Sequence, residues 1–327
     1  MKSSRTAPAN AQRAAADGVS GSGTESTTTV LIAFFANLII AAAKTVVAMI
    51  TGSASMLAES AHSWADTGNQ VLLFIADRRS RKGPDASHPF GYGREAYVWA
   101  MFAALGLFTA GAVVSVWNGA TKLFEEGEEA SYFWAYVVLV VAFVLEGLSF
   151  VQAFRQTRRE ARRLDREVLE HALATSDPTL RAVFAEDAAA LVGLVIAGLG
   201  IFLHQVTGNA VYDAVGSIAV GLLLGVVAVI LINQNRRFLT GQESDARARA
   251  AALARLKAMP EVSRVAYLRL EFIGPRQIHL VAAVDLNGEH PESQVAYTLR
   301  DLEYRVEEDP SVIEAVLTLA TPDEASL

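Results

Sequence analysis

The chain contains no cysteine. That absence excludes disulfides and thiolate metal sites, so any transition metal must be held by nitrogen or oxygen donors. Charge is scarce as well: Asp, Glu, Lys and Arg make up 19% of the 327 residues, hydrophobic residues make up 52%, and mean hydropathy is positive. This balance argues against an ordinary soluble enzyme. No His-Glu-x-x-His pair and no nucleophile beside a base is present, so an enzyme is not expected. The basic residues come without aromatics for stacking on bases, and nucleic acid is not an expected partner. The formal net charge of −7 is unevenly distributed, and the distribution carries the information.

What the chain does have is long apolar runs, at about residues 30–50, 97–117, 132–154, 188–206 and 211–232, each near the roughly 20 residues a spanning helix needs. A sixth, at about 54–76, is interrupted by polar groups. It contains Glu59, His62, Asp66 and Asn69, whose three-four-three spacing puts all four on one narrow face of an α-helix. Ionisable groups at membrane depth face a protein interior or a water-filled path, which makes this face a candidate cation site within a bilayer protein. Asn37 and Lys44 in the first run also need neighbours that compensate them, and the fourth run includes Glu146.

The basic clusters fix an orientation. Arg78, Arg79, Arg81 and Lys82 follow the second run, and six arginines from Arg155 to Arg166 follow the fourth, which predicts cytoplasmic ends there. Glu125, Glu126, Glu128 and Glu129 lie between the third and fourth runs, as expected of an exterior loop. Six spans with both termini in the cytoplasm follow. Residues 1–26, rich in Ala, Ser, Gly and Thr, read as a disordered tail, 27–240 as the membrane domain, and 322–327 as a short tail. Between them, residues 241–321 have soluble composition, and periodicity predicts helix, strand, strand, helix, strand, a small ferredoxin-like α+β domain. The loop Gly83 to Glu95 is dense in Gly and Pro and holds Asp85 and His88, a candidate second metal pair or a surface pair only.

With the polar second run, the His-Pro-Phe-Gly-Tyr-Gly loop, the Glu186-Asp187 segment and the α-β-β-α-β tail in this order, the sequence resembles the cation diffusion facilitators, and most nearly the branch that includes the mitochondrial mammalian zinc transporter. The resemblance covers about residues 30–320. It implies a homodimer that exports Zn²⁺, or Co²⁺, Cd²⁺, Fe²⁺ or Mn²⁺, in exchange for protons, with the ion as substrate and no resident cofactor. A bacterial inner membrane is the expected location. In the family a tetrahedral site joins a pair on the second span to a pair on the fifth, which here matches His62, Asp66 and Asp187, while Val183 stands at the remaining position. The fourth place is open. Glu59 shares the face of His62 and Asp66, Glu186 lies about 100° around its helix from Asp187, water is a third option, and either Glu can instead pair with Lys44. Other family metal positions are depleted: the second loop His falls on Tyr92, and in the tail only His279 remains, with other ligand positions on Tyr267 and near Ala320. Asp213 matches a family Asp at the start of the sixth span, where capping explains it as well as an ion contact does. The missing ligand at Val183 also admits an alternative, a non-transporting, metal-sensing membrane scaffold acting through its tail domain.

Overall fold

The computed structural model describes residues 23–124 and 132–327. Residues 1–22 of the expected tail and the acidic loop at Glu125 to Glu129 lie outside the described residues. Among the described residues seven helices come first: α1 (Gly23–Thr51), α2 (Ala54–Ser80), α3 (Glu95–Lys122), α4 (Phe133–Arg163), the short α5 (Val168–Ala174), α6 (Pro178–Thr207) and α7 (Val211–Leu239). Helix α1 takes in residues 23–26, which composition had assigned to the tail. Within these helices five segments are long and apolar enough to cross a membrane: Phe34–Thr51, α3, most of α4, α6 and α7. Their outward surfaces carry exposed Ile39, Val140, Leu148, Leu199, Leu222 and Val229, an apolar mantle suited to lipid rather than water. Helix α2 has the length without the apolar composition, because its buried residues include Ser55, Glu59, Ser60, His62, Ser63, Asp66, Thr67 and Asn69. It lies among α1, α3, α6 and α7. The bundle therefore has a polar helix at its centre.

Local chemistry fixes where these helices begin. Ser53 caps α2 by accepting from Met56 N at 3.1 Å. The same N-terminus is held by Asp213 of α7, which accepts from Ser53 Oγ at 2.9 Å, Ala54 N at 2.6 Å and Ser55 N at 3.1 Å. A carboxylate on free N–H groups at a helix start satisfies donors and the helix dipole together. Asp213 thus caps α2 across the bundle rather than its own helix. Asp177 accepts from Thr179 N and Leu180 N at the start of α6, with Pro178 at the first helical position. A π-helical turn at Ala104–Phe108 interrupts α3 where Leu107 meets α2 at Gly68.

The chain continues into α8 (Ala246–Lys257), β1 (Val262–Gly274), β2 (Gln277–Leu286), α9 (Glu292–Glu307) and β3 (Val312–Leu319). The element order is the expected one. The three strands lie in the order β1-β2-β3, with β1 antiparallel to β2 and β2 parallel to β3. Leu256, Val265, Leu268, Leu280, Val284, Leu302, Val306 and Leu317 form the core of this domain. Its β1–β2 turn docks on the helices: Arg276 N donates to Ser176 Oγ at 3.1 Å, Arg94 pairs with Glu271 at 2.6 Å, and Phe272 meets Phe238 of α7. Gly93 and Gly274 cross so closely that a Cβ on Gly93 would lie 2.6 Å from Ile273 O. On the membrane side of this junction, buried Arg181 donates to Thr175 O at 2.8 Å and Asn235 Oδ1 at 2.5 Å and lies over the Phe238 ring.

Candidate metal centre

The expected face of α2 exists: Glu59, His62, Asp66 and Asn69 are all buried. Opposite them lies α6, on the face marked by Glu186, Gly193 and Gly200, spaced seven apart and so two turns from one to the next. Small residues let the two backbones approach. A Cβ on Gly193 would lie 2.6 Å from Glu59 Oε1, and one on Gly200 would lie 3.0 Å from Ser55 Oγ. Helix α1 adds Lys44, and α4 adds Glu146 and Ser149.

The structure groups these residues in layers along α2. In one layer Lys44 Nζ donates to Glu59 Oε2 at 2.9 Å, with both side chains fully buried. One turn on, His62 Nε2 lies 3.4 Å from Asp66 Oδ2. Both ring nitrogens of His62 and Oδ1 of Asp66 are buried without a hydrogen-bond partner among the described residues. In the next layer Asn69 Nδ2 donates to Glu186 Oε1 at 2.5 Å. Asp187 points elsewhere and accepts from Ser149 Oγ of α4 at 2.7 Å. Glu186, Glu146, Lys44 and Asp187 are the charges that act on Asp66. Among the described residues, no three His, Asp or Glu side chains stand in coordination geometry.

Sequence reading placed Asp187 with His62 and Asp66 and weighed Glu59 or Glu186 for the fourth place. In the structure Glu186 is the α6 carboxylate on the α2 side, Asp187 lies about 100° away against α4, and Glu59 is engaged by Lys44. Buried lone pairs without donors are costly unless a cation, a proton or water meets them, and His62 with Asp66 presents such a set. One imidazole with carboxylate oxygens suits Zn²⁺ and its divalent neighbours. Glu146 and Ser149 went without a role in the sequence reading. Their signal was there, a carboxylate inside a span and a hydroxyl three residues on along the same helix face.

The loop pair is built differently. Asp85 accepts from Lys82 Nζ at 2.8 Å, Tyr92 OH at 2.8 Å, Ser87 N at 2.9 Å, Ser87 Oγ at 2.6 Å and His88 N at 2.9 Å. Five donors fill a carboxylate's acceptor capacity. The bonds from Lys82, Ser87 and Tyr92 hold this carboxyl well below the usual carboxylate range. His88 stacks on Tyr92 with ring centroids 3.9 Å apart. In the tail domain His279 lies 3.7 Å from Glu314 and beside Phe90, and His290 Nε2 lies 2.9 Å from Asn287 O within its own turn.

A family model described as the cation efflux transmembrane domain matches residues 30–240. Metal tolerance protein C4 of Arabidopsis thaliana is 35% identical over 260 residues, 80% of this chain and 57% of that protein. The mitochondrial proton-coupled zinc antiporter SLC30A9 is 33% identical in Homo sapiens over 238 residues and 35% identical in Xenopus laevis over 240, each covering 73% of this chain and 42% or 43% of the relative. The chain thus spans about half the length of these relatives. Apolar helices around a polar one, buried polar atoms without hydrogen-bond partners on that helix, and a family match over the whole bundle lead to one conclusion: this is a multi-pass membrane protein that belongs to the cation diffusion facilitator family, near the branch of the mitochondrial zinc antiporters.

Proposed function

We propose that the chain exports Zn²⁺, or Co²⁺, Cd²⁺, Fe²⁺ or Mn²⁺, from the cytoplasm in exchange for protons. The observation that carries this reading is the buried His62–Asp66 pair, whose lone pairs have no protein donor. His62 and Asp66 hold the ion with Glu186, which leaves Asn69 to reach it, while Asp187 stays on Ser149 as a nearby negative charge. Asp85 and His88 shape their loop and hold no metal. The similarity to proton-coupled zinc antiporters supports zinc and protons as the exchanged pair.

The coupling follows from shared atoms. A ligand must be deprotonated to bind metal, so metal and protons compete for His62 and the carboxylates. Moving a divalent ion outward against 100 mV, inside negative, costs about 4.6 kcal/mol at roughly 2.3 kcal/mol per charge. Inward proton movement offsets that cost.

Helix α2, its polar residues buried against its neighbours, completes a set of six spans in a domain covering residues 27–240. The basic clusters at the ends of α2 and α4 support a cytoplasmic location for both termini, in what we read as a bacterial inner membrane. Residues 241–321 form the cytoplasmic domain that joins two copies as a C₂ homodimer. Full-length protein in liposomes with a trapped zinc-sensitive dye tests the function. Zinc entry should accelerate when an opposing proton gradient is imposed and should vanish in Asp66→Asn. Zinc flux indifferent to the gradient, or a wild-type rate in Asp66→Asn, would contradict it.

A further inference from the structure

The proposed ligand set leaves a carboxylate unused. Glu59 lies one turn from His62 on the same face of α2, fully buried, and its Oε1 has no hydrogen-bond partner among the described residues. Only Oε2 is engaged, by the ammonium of Lys44 at 2.9 Å. Lys44 is itself fully buried on α1, and its charge acts on both His62 and Asp66. Room for the Glu59 carboxylate exists only because residue 193 on α6 is glycine. A lysine placed at full burial opposite one glutamate, beside a site for a divalent cation, has a consequence for that site. It fixes how many anionic oxygens the incoming ion can recruit.

We infer that Lys44 is a specificity-determining residue: a tethered cation that keeps Glu59 out of the ligand set and so holds the site to few ligands. This rests on the proposed site of His62, Asp66 and Glu186. A four-coordinate site with an imidazole nitrogen favours Zn²⁺. Adding a further carboxylate raises oxygen count and coordination number, which favours harder ions that take octahedral oxygen shells, Mn²⁺ among them. The ammonium prevents that addition in two ways. It occupies Oε2 directly, and its positive charge beside the site opposes a second cation drawing Glu59 inward. The free Oε1 shows that the pair leaves Glu59 with unused acceptor capacity, so release of Lys44 leaves a carboxylate able to rotate toward the ion.

The test is the ratio of Zn²⁺ to Mn²⁺ affinity, measured by titrating each metal alone into the full-length protein in lipid nanodiscs. Lys44→Met keeps the apolar stem and removes the charge; it should tighten Mn²⁺ and lower the Zn²⁺/Mn²⁺ ratio by at least about tenfold. Glu59→Gln alone should leave the ratio within about twofold of wild type, since Glu59 is not a ligand while Lys44 is present. Lys44→Met with Glu59→Gln should restore the wild-type ratio, an outcome that general loosening of the bundle does not produce. Should Lys44→Met fail to fold, Lys44→Leu carries the same measurement, because it too is apolar and leaves Glu59 without a donor. An unchanged ratio in folded Lys44→Met or Lys44→Leu protein overturns the inference, and so does a ratio that departs from wild type by more than about twofold in Glu59→Gln with Lys44 in place. Asp66→Asn separates the two levels: if it binds zinc as wild type does, the site assignment has failed, whereas loss of zinc there with a neutral Lys44→Met removes the role of Lys44 alone.

Discussion

The molecule contains two histidine–aspartate pairs at helical or turn spacing, His62 with Asp66 on α2 and Asp85 with His88 in the loop after it. In sequence they are the same kind of motif. In the structure they are opposites: Asp85 accepts five hydrogen bonds and its histidine stacks on a tyrosine, while Asp66 Oδ1 and both nitrogens of His62 are buried with nothing donating to them. Residue identity alone therefore does not make a metal site. What distinguishes the two is whether the surroundings have already satisfied the lone pairs, and only unsatisfied buried groups gain from an arriving cation.

The largest expected effect comes from breaking the α2 pair. Asp66→Asn removes an anionic ligand with little change of shape, so zinc affinity should fall by at least about a hundredfold while the protein elutes as wild type on size exclusion. Titration of zinc against a competing chelator measures this. A fall under tenfold would remove Asp66 from the site.

Next come the two neighbours on α6. Glu186→Gln should weaken zinc by about ten- to a hundredfold, and Asp187→Asn by less than about fivefold, because Glu186 faces α2 and Asp187 is engaged by Ser149. The reverse order, read in the same titration, would return the α6 ligand to the position that the family resemblance implied. The side that each carboxylate takes was within reach of the sequence. Glu186, Gly193 and Gly200 recur every seven residues, and small residues mark the face that meets another helix, which assigns Glu186 rather than Asp187 to the α2 side.

Asp213→Ala should leave zinc affinity within about threefold and lower the thermal midpoint by several degrees, since it removes the carboxylate capping α2 from outside the site. An equal loss of affinity would mean that the site depends on how α2 is anchored.

The smallest effect belongs to the loop. Asp85→Asn should leave transport within about twofold of wild type and should lower thermal stability. Its pH dependence has a definite sign. Asp85 is held below its ordinary value, so the stability it contributes is present above the unfolded value near 3.9 and is lost only as pH falls through the lower folded value. The stability gap between Asp85→Asn and wild type, measured by thermal unfolding, should thus be the same at pH 7 and pH 5. Zinc binding should weaken over that interval, because protons compete with the ion for its ligands. A loop contribution that shrinks by pH 5 would show that its donors are lost in solution.

Much of the architecture was legible because bilayer and water impose strong patterns. Apolar runs marked the spans, and alternation marked the strands Val262–Gly274 and Gln277–Leu286. The polar face of α2 stood out because ionisable groups are rare at that depth. Contacts between distant segments were less accessible. Nothing in local periodicity says that Asp213 reaches across 160 residues to Ser53, that Arg276 meets Ser176, or that Lys44 selects Glu59 over Glu146 and Glu186. Such choices are set by helix rotation and register, and a rotation of 100° exchanges one carboxylate for the next. Short α5 went unforeseen because seven residues, Val168–Ala174, carry too little periodicity to stand out after a charged helix end.

X-ray absorption at the zinc edge compares the two pairs directly, because imidazole scattering identifies histidine in the first shell. Wild-type protein loaded with one equivalent of Zn²⁺ should show about one imidazole among oxygen ligands. His62→Ala should abolish the imidazole signal and His88→Ala should leave it intact. An imidazole signal that survives in His62→Ala and disappears in His88→Ala would place the ion on the loop and contradict the account.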